Sequence, residues 1–431
     1  MSTEILHREK KKNLLPKLRF QEFEEEYEQS KFGELYSFHT TNSLSRDKLN
    51  YKFGNVYNIH YGDIHTKFKS HFYLRKEYVP QINKDVDLSK IKEELYCKNG
   101  DIIIADASED YADIGKSIEL IDIDNVKLLA GLHTFLARPI TNKTKIGYIS
   151  YLMKSSNLRK QIMTIAQGTK VLSLSSSRVS NLELNIPTLP EQQKIASFLS
   201  AVDEKIQQLS RKRELLEQYK KGVMQQLFSG KLRFKDENGN DYPDWEEKKL
   251  GEIAEKRIVK NKDNKINLVF TNSAMQGIVN QRDFFDKDIA NQNNLLGYYI
   301  VENNDFVYNP RISTNAPVGP ISRNYLDTGI MSPLYSVFRF KEGYLDFIEC
   351  FFNSSLWHIH MKNISNYGAR DDRMSFSSSD FYKMPIPFPS IEEQKKIATF
   401  LLSIEDKIES TNKQITQTQM FKKGLLQQMF V

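Results

Sequence analysis

With only two cysteines, Cys97 and Cys350, in 431 residues, the chain lacks the means for a disulfide framework or a cysteine-based zinc site. That scarcity points to a reducing cytoplasm and to no structural metal. Also missing is any apolar run near the length that crosses a bilayer, and Lys10, Lys11 and Lys12 are followed by no apolar segment of the secretory type. A soluble cytoplasmic protein with no membrane association is expected. An excess of one charge is absent too. Lys and Arg number 61 against 55 Asp and Glu, a net charge of +6, so any surface for nucleic acid must be local. What is present suffices for folded cores: 39% hydrophobic and 11% aromatic residues, with 21 Tyr and 26 Phe, in a length that fits two to four domains.

The chain repeats itself at a shift of 202 positions. Glu191-Gln192-Gln193-Lys194-Ile195-Ala196 answers Glu393-Gln394-Lys395-Lys396-Ile397-Ala398, and Tyr219 to Phe228 answers Phe421 to Phe430; 15 of the 38 pairs from 191/393 to 228/430 are identical. Identity gathers at 191–206 and 220–228 and is absent from 207–219, so the ends of this segment are constrained and its middle mainly sets a length. A long internal period of this kind means two similar modules in one chain, which suits a ligand that is itself twofold symmetric.

Each module reads in one order: a polar lead, a strand-rich stretch, a Ser-rich loop, a Pro-bounded strand and a long helix. Lys17-Leu18-Arg19-Phe20 matches Lys231-Leu232-Arg233-Phe234, and Phe32-Gly33-Glu34-Leu35 matches Leu250-Gly251-Glu252-Ile253. Gly100-Asp101-Ile102-Ile103-Ile104 and Asn304-Asp305-Phe306-Val307-Tyr308 each read as a turn followed by a buried strand. Leu182, Leu184 and Ile186, like Met384, Ile386 and Phe388, alternate as half-buried strands do. Pro187, Pro190, Pro387 and Pro389 end those strands and suit the first turn of a helix.

The helical seams follow. One runs Ile195, Leu199, Val202, Ile206, Leu209, Arg213, Leu216, Lys220, Val223, Leu227, and the other Ile397, Leu401, Ile404, Ile408, Thr411, Ile415, Thr418, Lys422, Leu425, Met429. Alternating three and four spacing over about five heptads is coiled-coil spacing, and such a segment makes a rod of roughly 57 Å at ~1.5 Å per residue. The fold class expected is therefore α+β: two similar α/β domains, 1–188 and 230–390, separated by two long helices, 189–229 and 391–431, that pair as an antiparallel coiled coil. Phe198 and Phe400, if fully buried, would each cost about 3–5 kcal/mol on truncation to Ala.

Catalytic signatures are missing. Asn309-Pro310-Arg311 lacks the second proline and the aromatic of a methyltransferase tetrapeptide, and Gly115-Lys116-Ser117 lacks the upstream glycine of a phosphate-binding loop. In Pro243-Asp244-Trp245-Glu246-Glu247-Lys248 the carboxylates are too close in sequence to meet round one metal from separate strands, and the segment reads as the opening of a domain. His358 and His360 would share one face of a strand, with no carboxylate or cysteine at ligand spacing.

Binding chemistry remains. Tyr61-Gly62-Asp63-Ile64-His65-Thr66-Lys67 joins a turn, an aromatic, small hydrogen-bonding groups and a base, with Tyr61, His65, Thr66 and Lys67 as candidate contacts to base edges and phosphates. Lys170, Ser173, Ser175 and Arg178 in the first module, and Arg370, Arg373 and Ser377 in the second, offer donors suited to phosphate oxygens. Asn309, Arg311, Ser313 and Asn315 gather side chains able to pair with guanine and adenine edges. An ordinary solvated loop or strand-connecting turn is the competing reading of each segment.

The duplicated Glu-Gln-x-Lys-Ile-Ala-x-Phe-Leu helix start, the Lys-Lys-Gly-x-x-x-Gln-Gln-x-Phe helix end and the domain-helix-domain-helix order resemble the DNA-specificity subunit of type I restriction-modification enzymes, over nearly the whole chain. The resemblance implies two target-recognition domains, each reading half of a split site in double-stranded DNA, with the paired helices setting the gap. It implies partners as well: two methyltransferase (M) subunits carrying S-adenosylmethionine, and two restriction (R) subunits using ATP and magnesium. The chain itself would be non-catalytic and bind no cofactor, and the matched helix ends would be scaffold and partner-docking surface. The first lead, with Glu24, Glu25, Glu26 and Glu28, matches the second only patchily and leaves the start of the first domain open. The alternative is a two-headed coiled-coil protein adaptor without DNA specificity.

Overall fold

The computed structural model describes residues 15–284, 292–365 and 372–431. The chain divides into two units: unit 1 holds the residues up to Leu209 together with Gln414–Val431, and unit 2 holds Ser210–Lys413. The long helices Leu189–Phe228 and Ile391–Gln428 therefore each contribute to both units.

In unit 1 a five-stranded sheet runs in the order Tyr36–His39, Thr134–Pro139, Ile102–Ala105, Ser117–Asp122, His71–Tyr73, antiparallel except for the last pair. Ile102, Ile103, Ile104 and Ala105 have no exposed surface, as a central strand covered on both faces requires. A second sheet consists of Leu128–Ala130, Tyr57–Ile59, Gln81–Ile82 and Leu49–Asn50, and unit 2 keeps its parallel contact as the single bridge between Val269 and Ile330. Unit 2 keeps four strands of the first sheet in the same order, Ala254–Lys256, Ser336–Phe340, Phe306–Tyr308 and Ile321–Arg323, all antiparallel.

The shared scaffold repeats down to single bonds. Gly100 and Asn304 both take a left-handed backbone, φ +86° and +69°, at the turn before the buried strand. The next residue, Asp101 or Asp305, is fully buried. Its Oδ2 accepts from the backbone N–H of Lys98 or Glu302 at 2.8 Å, and the carboxylate pairs with Arg138 or Arg339 at 2.7 Å. The short helices Phe32–Leu35 and Leu250–Ile253 open alike, the carboxylate of Glu34 or Glu252 accepting from the backbone N–H of Lys31 or Lys249 at 2.8 Å. Two-stranded ribbons, Glu28–Lys31 with Glu183–Ile186 and Glu246–Lys249 with Pro385–Phe388, lead to the helices. Pro385 and Pro387 are tolerated because that strand has one neighbour only.

Each long helix is pinned at its start. Glu191 is buried in unit 1 and accepts from Arg19 Nε and Nη2 at 2.9 and 2.8 Å and from the Tyr27 hydroxyl at 3.1 Å. Glu393 does the same in unit 2 with Arg233, at 3.2 and 2.8 Å, and with Trp245 Nε1 at 2.8 Å. Gln192 and Gln394 donate to the carbonyls of Pro187 and Pro389, both at 2.8 Å, and accept from the N–H of Lys145 and Tyr344. The repeated Glu-Gln is thus the clasp between module and helix. The leads match only patchily because Asp236 to Asn240 form an extra hydrogen-bonded turn in unit 2 between the arginine and the ribbon.

Every seam position is buried or half-buried, including Arg213, Thr418 and Lys422. Within unit 1 Asn185 reaches Val431 while Asp203, farther along, accepts from Lys422 at 2.5 Å, so the two helical segments run antiparallel. Within unit 2 Lys220 bonds Glu405, and the end of one helix, Val223 to Phe228, shares a core with the start of the other, Ile397 to Leu401. No helix among the described residues is long and apolar enough to cross a membrane. No group of three or more His, Cys, Asp or Glu among them is arranged to hold a metal.

Candidate nucleic-acid interface

In unit 1 the strand Tyr57–Ile59 ends at His60, whose Nδ1 accepts from the N–H of Gly62 at 3.2 Å. This cap, with Thr66 Oγ1 donating to the Gly62 carbonyl at 2.7 Å, makes Tyr61–Thr66 a helix where the sequence suggested a turn. Asp63 is buried beneath it and pairs with Arg46 at 2.6 Å and Lys67 at 2.9 Å. One carboxylate between two half-exposed cations leaves a local positive charge. Lys67 also donates to the Tyr51 hydroxyl at 2.8 Å, and Tyr51 stacks on the exposed Tyr78 at 4.4 Å. A cation beside an exposed aromatic ledge can meet both a phosphate and a base face.

His65 serves the scaffold. Its Nε2 donates to the Ala107 carbonyl at 2.9 Å, and its own carbonyl accepts from Lys116 Nζ at 2.6 Å. Ala107–Ser108 in turn pairs with Leu172–Ser173, so His65 and Ser173 meet at Ala107, with the Tyr61 ring edge-on to His65 at 6.0 Å. The loop beyond carries Gly168 at φ +122°, where any side chain would meet the Val171 carbonyl, and exposes Lys170 and Ser173. Ser175 is engaged locally, sharing a hydrogen bond with the Ser177 hydroxyl at 3.2 Å. Its hydroxyl accepts from the N–H of Arg178 and caps the helix Ser176–Ser180, while Arg178 Nη1 donates to the Ile165 carbonyl at 3.1 Å.

Unit 2 replaces this surface with a cleft of about 590 Å³. Arg311 and Arg373 face each other across an antiparallel bridge, and both line it, with Asn309, Ser313, Tyr298 and Tyr335. Arg311 has no ion-pair partner among the described residues, and Arg373 has Asp372 at 3.6 Å. Asn309 is occupied: Nδ2 donates to the Asn272 carbonyl and Oδ1 accepts from the N–H of Arg311, at 2.8 and 3.0 Å. Ser313 Oγ accepts from Ala316 N, and Asn315, exposed, approaches the Met275 sulfur at 3.0 Å outside the cleft. Ser377 repeats the role of Ser175, capping Ser378–Tyr382 through the N–H of Asp380 at 3.0 Å. Arg370 lies outside the described residues.

Two further readings change. His358 and His360 lie on the helix His358–Ile364, where positions two apart differ by ~200°, so they share no face. His360 Nε2 donates to the Asp380 carbonyl at 2.9 Å. The same surfaces hold residues that the sequence did not nominate, Arg46, Tyr51 and Tyr78 in unit 1 and Tyr298 and Tyr335 in unit 2. They arrive from separate segments, and no spacing rule connects them.

A family model described as "Type I restriction modification DNA specificity domain" matches residues 24–218 and 242–419. The chain belongs to this family. It is 27% identical over 311 residues to the putative type I restriction enzyme MjaX specificity subunit of Methanocaldococcus jannaschii, covering 69% of this chain and 70% of that protein. It is 25% identical over 304 residues to the MjaVIII specificity subunit of the same organism, covering 67% and 70%. The fold is similar to that of the S subunit of the type I restriction-modification system from M. genitalium, with a TM-score of 0.54 at 14% identity, over 97% of this chain and 99% of that one. Membership accords with the architecture: a scaffold kept bond for bond in two units, carrying different surfaces.

Proposed function

We propose that this chain is the sequence reader of a type I restriction-modification assembly, with unit 1 and unit 2 each recognising one half of a bipartite site in duplex DNA. The observation that supports this reading most is the contrast within the repeat. Glu191 and Glu393 hold nearly identical networks, whereas the helix Tyr61–Thr66 in one unit and the two-arginine cleft in the other share nothing. Selection for two different ligands on one support produces that contrast. Half-sites about one turn apart are ~34–36 Å from each other, and a 40-residue helix at ~1.5 Å per residue is long enough to span that.

In this reading the chain supplies no chemistry and binds no cofactor. Two methyltransferase subunits bring S-adenosylmethionine, two restriction subunits bring ATP and magnesium, and all work on DNA in the cytoplasm. Partners that close around the duplex share the phosphate contacts, consistent with a net charge of only +6. The test is to exchange residues 1–185 for those of a relative, assemble the methyltransferase and map the methylated sites. One half of the recognised sequence should change. A change in both halves, or in neither, would overturn the two-reader account, and methylation indifferent to sequence would favour a protein adaptor.

A further inference from the structure

His133 lies on the turn into strand Thr134–Pro139 with φ +53°, a left-handed backbone that a residue other than glycine adopts only where its surroundings hold it. Its side chain is 53% exposed, yet Nδ1 sits 3.3 Å from Oδ1 of the largely buried Asp106. The N–H of Asp106 donates to the His133 carbonyl at 3.1 Å, so the two backbones are tied where the side chains approach. Asp106 Oδ1 makes no hydrogen bond among the described residues, His133 Nδ1 being its partner at ion-pair distance only, and burial raises the pKa of this carboxyl above its ordinary value while His133 works against that rise. The Tyr61 ring stands edge-on to the imidazole at 5.2 Å. No hydrogen bond among the described residues engages Nε2 of His133, which points to a ring oriented for something outside the chain.

A carboxylate within ion-pair distance of Nδ1 favours the proton on that nitrogen in the neutral imidazole, which leaves Nε2 as an acceptor. The pair also borders the surface described above, since the Asp106 carbonyl accepts from the N–H of Leu174 and Ala107 pairs with Ser173. We propose that His133 is a base-reading residue of unit 1, its Nε2 accepting from the exocyclic amino group of an adenine or a cytosine in the major groove, and that Asp106 positions it. In unit 2 the strand Phe306–Tyr308 is followed by Asn309, where Asp106 follows Ile102–Ala105 in unit 1, and its amide is spent on Asn272 and Arg311, so the two units differ beside this strand end. The proposal rests on unit 1 being a half-site reader.

The complex with its methyltransferase subunits is tested against duplexes in which each base pair of the two half-sites is changed singly. His133→Asn, which tolerates the left-handed backbone, is expected to lose tenfold or more of the discrimination at one pair of the unit 1 half-site, with the other half-site read as before. Asp106→Asn should relax the same pair, and the double variant should relax it no further than His133→Asn alone. Purine in place of adenine, or 2-pyrimidinone in place of cytosine, removes the amino group; the substitution that weakens the native complex but not the variant identifies the base. In the ¹⁵N-histidine-labelled chain the signal lost in His133→Asn should report an Nδ1–H tautomer, and Asp106→Asn should shift it toward Nε2–H. If His133→Asn fails to fold, His133→Gly, which is free to adopt this backbone, replaces it. Undiminished discrimination by a folded His133 variant overturns this assignment and leaves half-site reading intact, whereas a native complex with no base preference in that half-site overturns the reading beneath it.

Discussion

Replacing Arg19 by Met tests whether the buried glutamate clasp fastens a module to its helix. Glu191 is fully buried and receives two charge-assisted bonds from Arg19, at 2.9 and 2.8 Å, besides that from Tyr27. Each such bond contributes on the order of 1.5–3 kcal/mol, and removing one partner leaves the carboxylate uncompensated in a dry site. The expected loss is about 3–5 kcal/mol, against about 1 kcal/mol or less for an exposed pair. For a domain of this size 1 kcal/mol lowers the midpoint by roughly 2–4 °C, so the unit 1 transition should fall by roughly 6–20 °C. Calorimetry of the full chain, with the two units fitted as separate transitions, reads this directly. The double variant Arg19→Met with Glu191→Gln removes the buried charge and should recover much of the loss. A single-variant loss under about 1 kcal/mol would show that the pair behaves as a surface ion pair, and the clasp argument would fail.

Glu119 gives a pH dependence of known sign. It is buried with its pKa pushed up to about 7, burial outweighing the bonds it accepts from the N–H groups of Gly147 and Ser150. Because the folded value lies above the unfolded one, its contribution is fully present below about 4.5 and is lost as pH rises to about 7, roughly 3 kcal/mol in all. Denaturant unfolding of wild type and Glu119→Gln across that range should differ by this slope, and parallel curves would refute it. Phe198 and Phe400 are only half-buried, in edge contact with Phe20 at 5.7 Å and Phe234 at 5.6 Å. Truncation to Ala should therefore cost about 1–2 kcal/mol in urea unfolding, below the cost of a fully buried ring. One heptad inserted after Leu209, with a second at the antiparallel position of the other helix, should lengthen the gap between methylated half-sites and leave their bases unchanged; a constant gap in methylation mapping would refute the spacer role.

The parts legible in the sequence are those that obey short-range rules. The heptad seams, the buried Asp-initiated strands and the Glu-Gln helix starts all carry period or repetition, and each lies where its pattern places it. What the sequence hid was set by long-range contacts. Ser175 and Ser377 read as free donors, but a serine ahead of a hidden helix is a cap. Tyr61 to Thr66 read as a turn because the residue that converts it to a helix, His60, seldom caps one. His65 and Asn309 looked ready for a ligand, yet their polar groups hold neighbouring segments in place. Asp106 and His133 are 27 positions apart, and nothing local in either predicts their contact or the left-handed backbone of His133.

The most direct measurement is methylation mapping in the host genome with the native chain, without it, and with residues 1–185 replaced by those of a relative. Two-reader recognition predicts a split motif that vanishes without the chain and that changes in one half alone after the exchange. Methylation that persists in the absence of the chain, or a motif whose two halves change together, would contradict it.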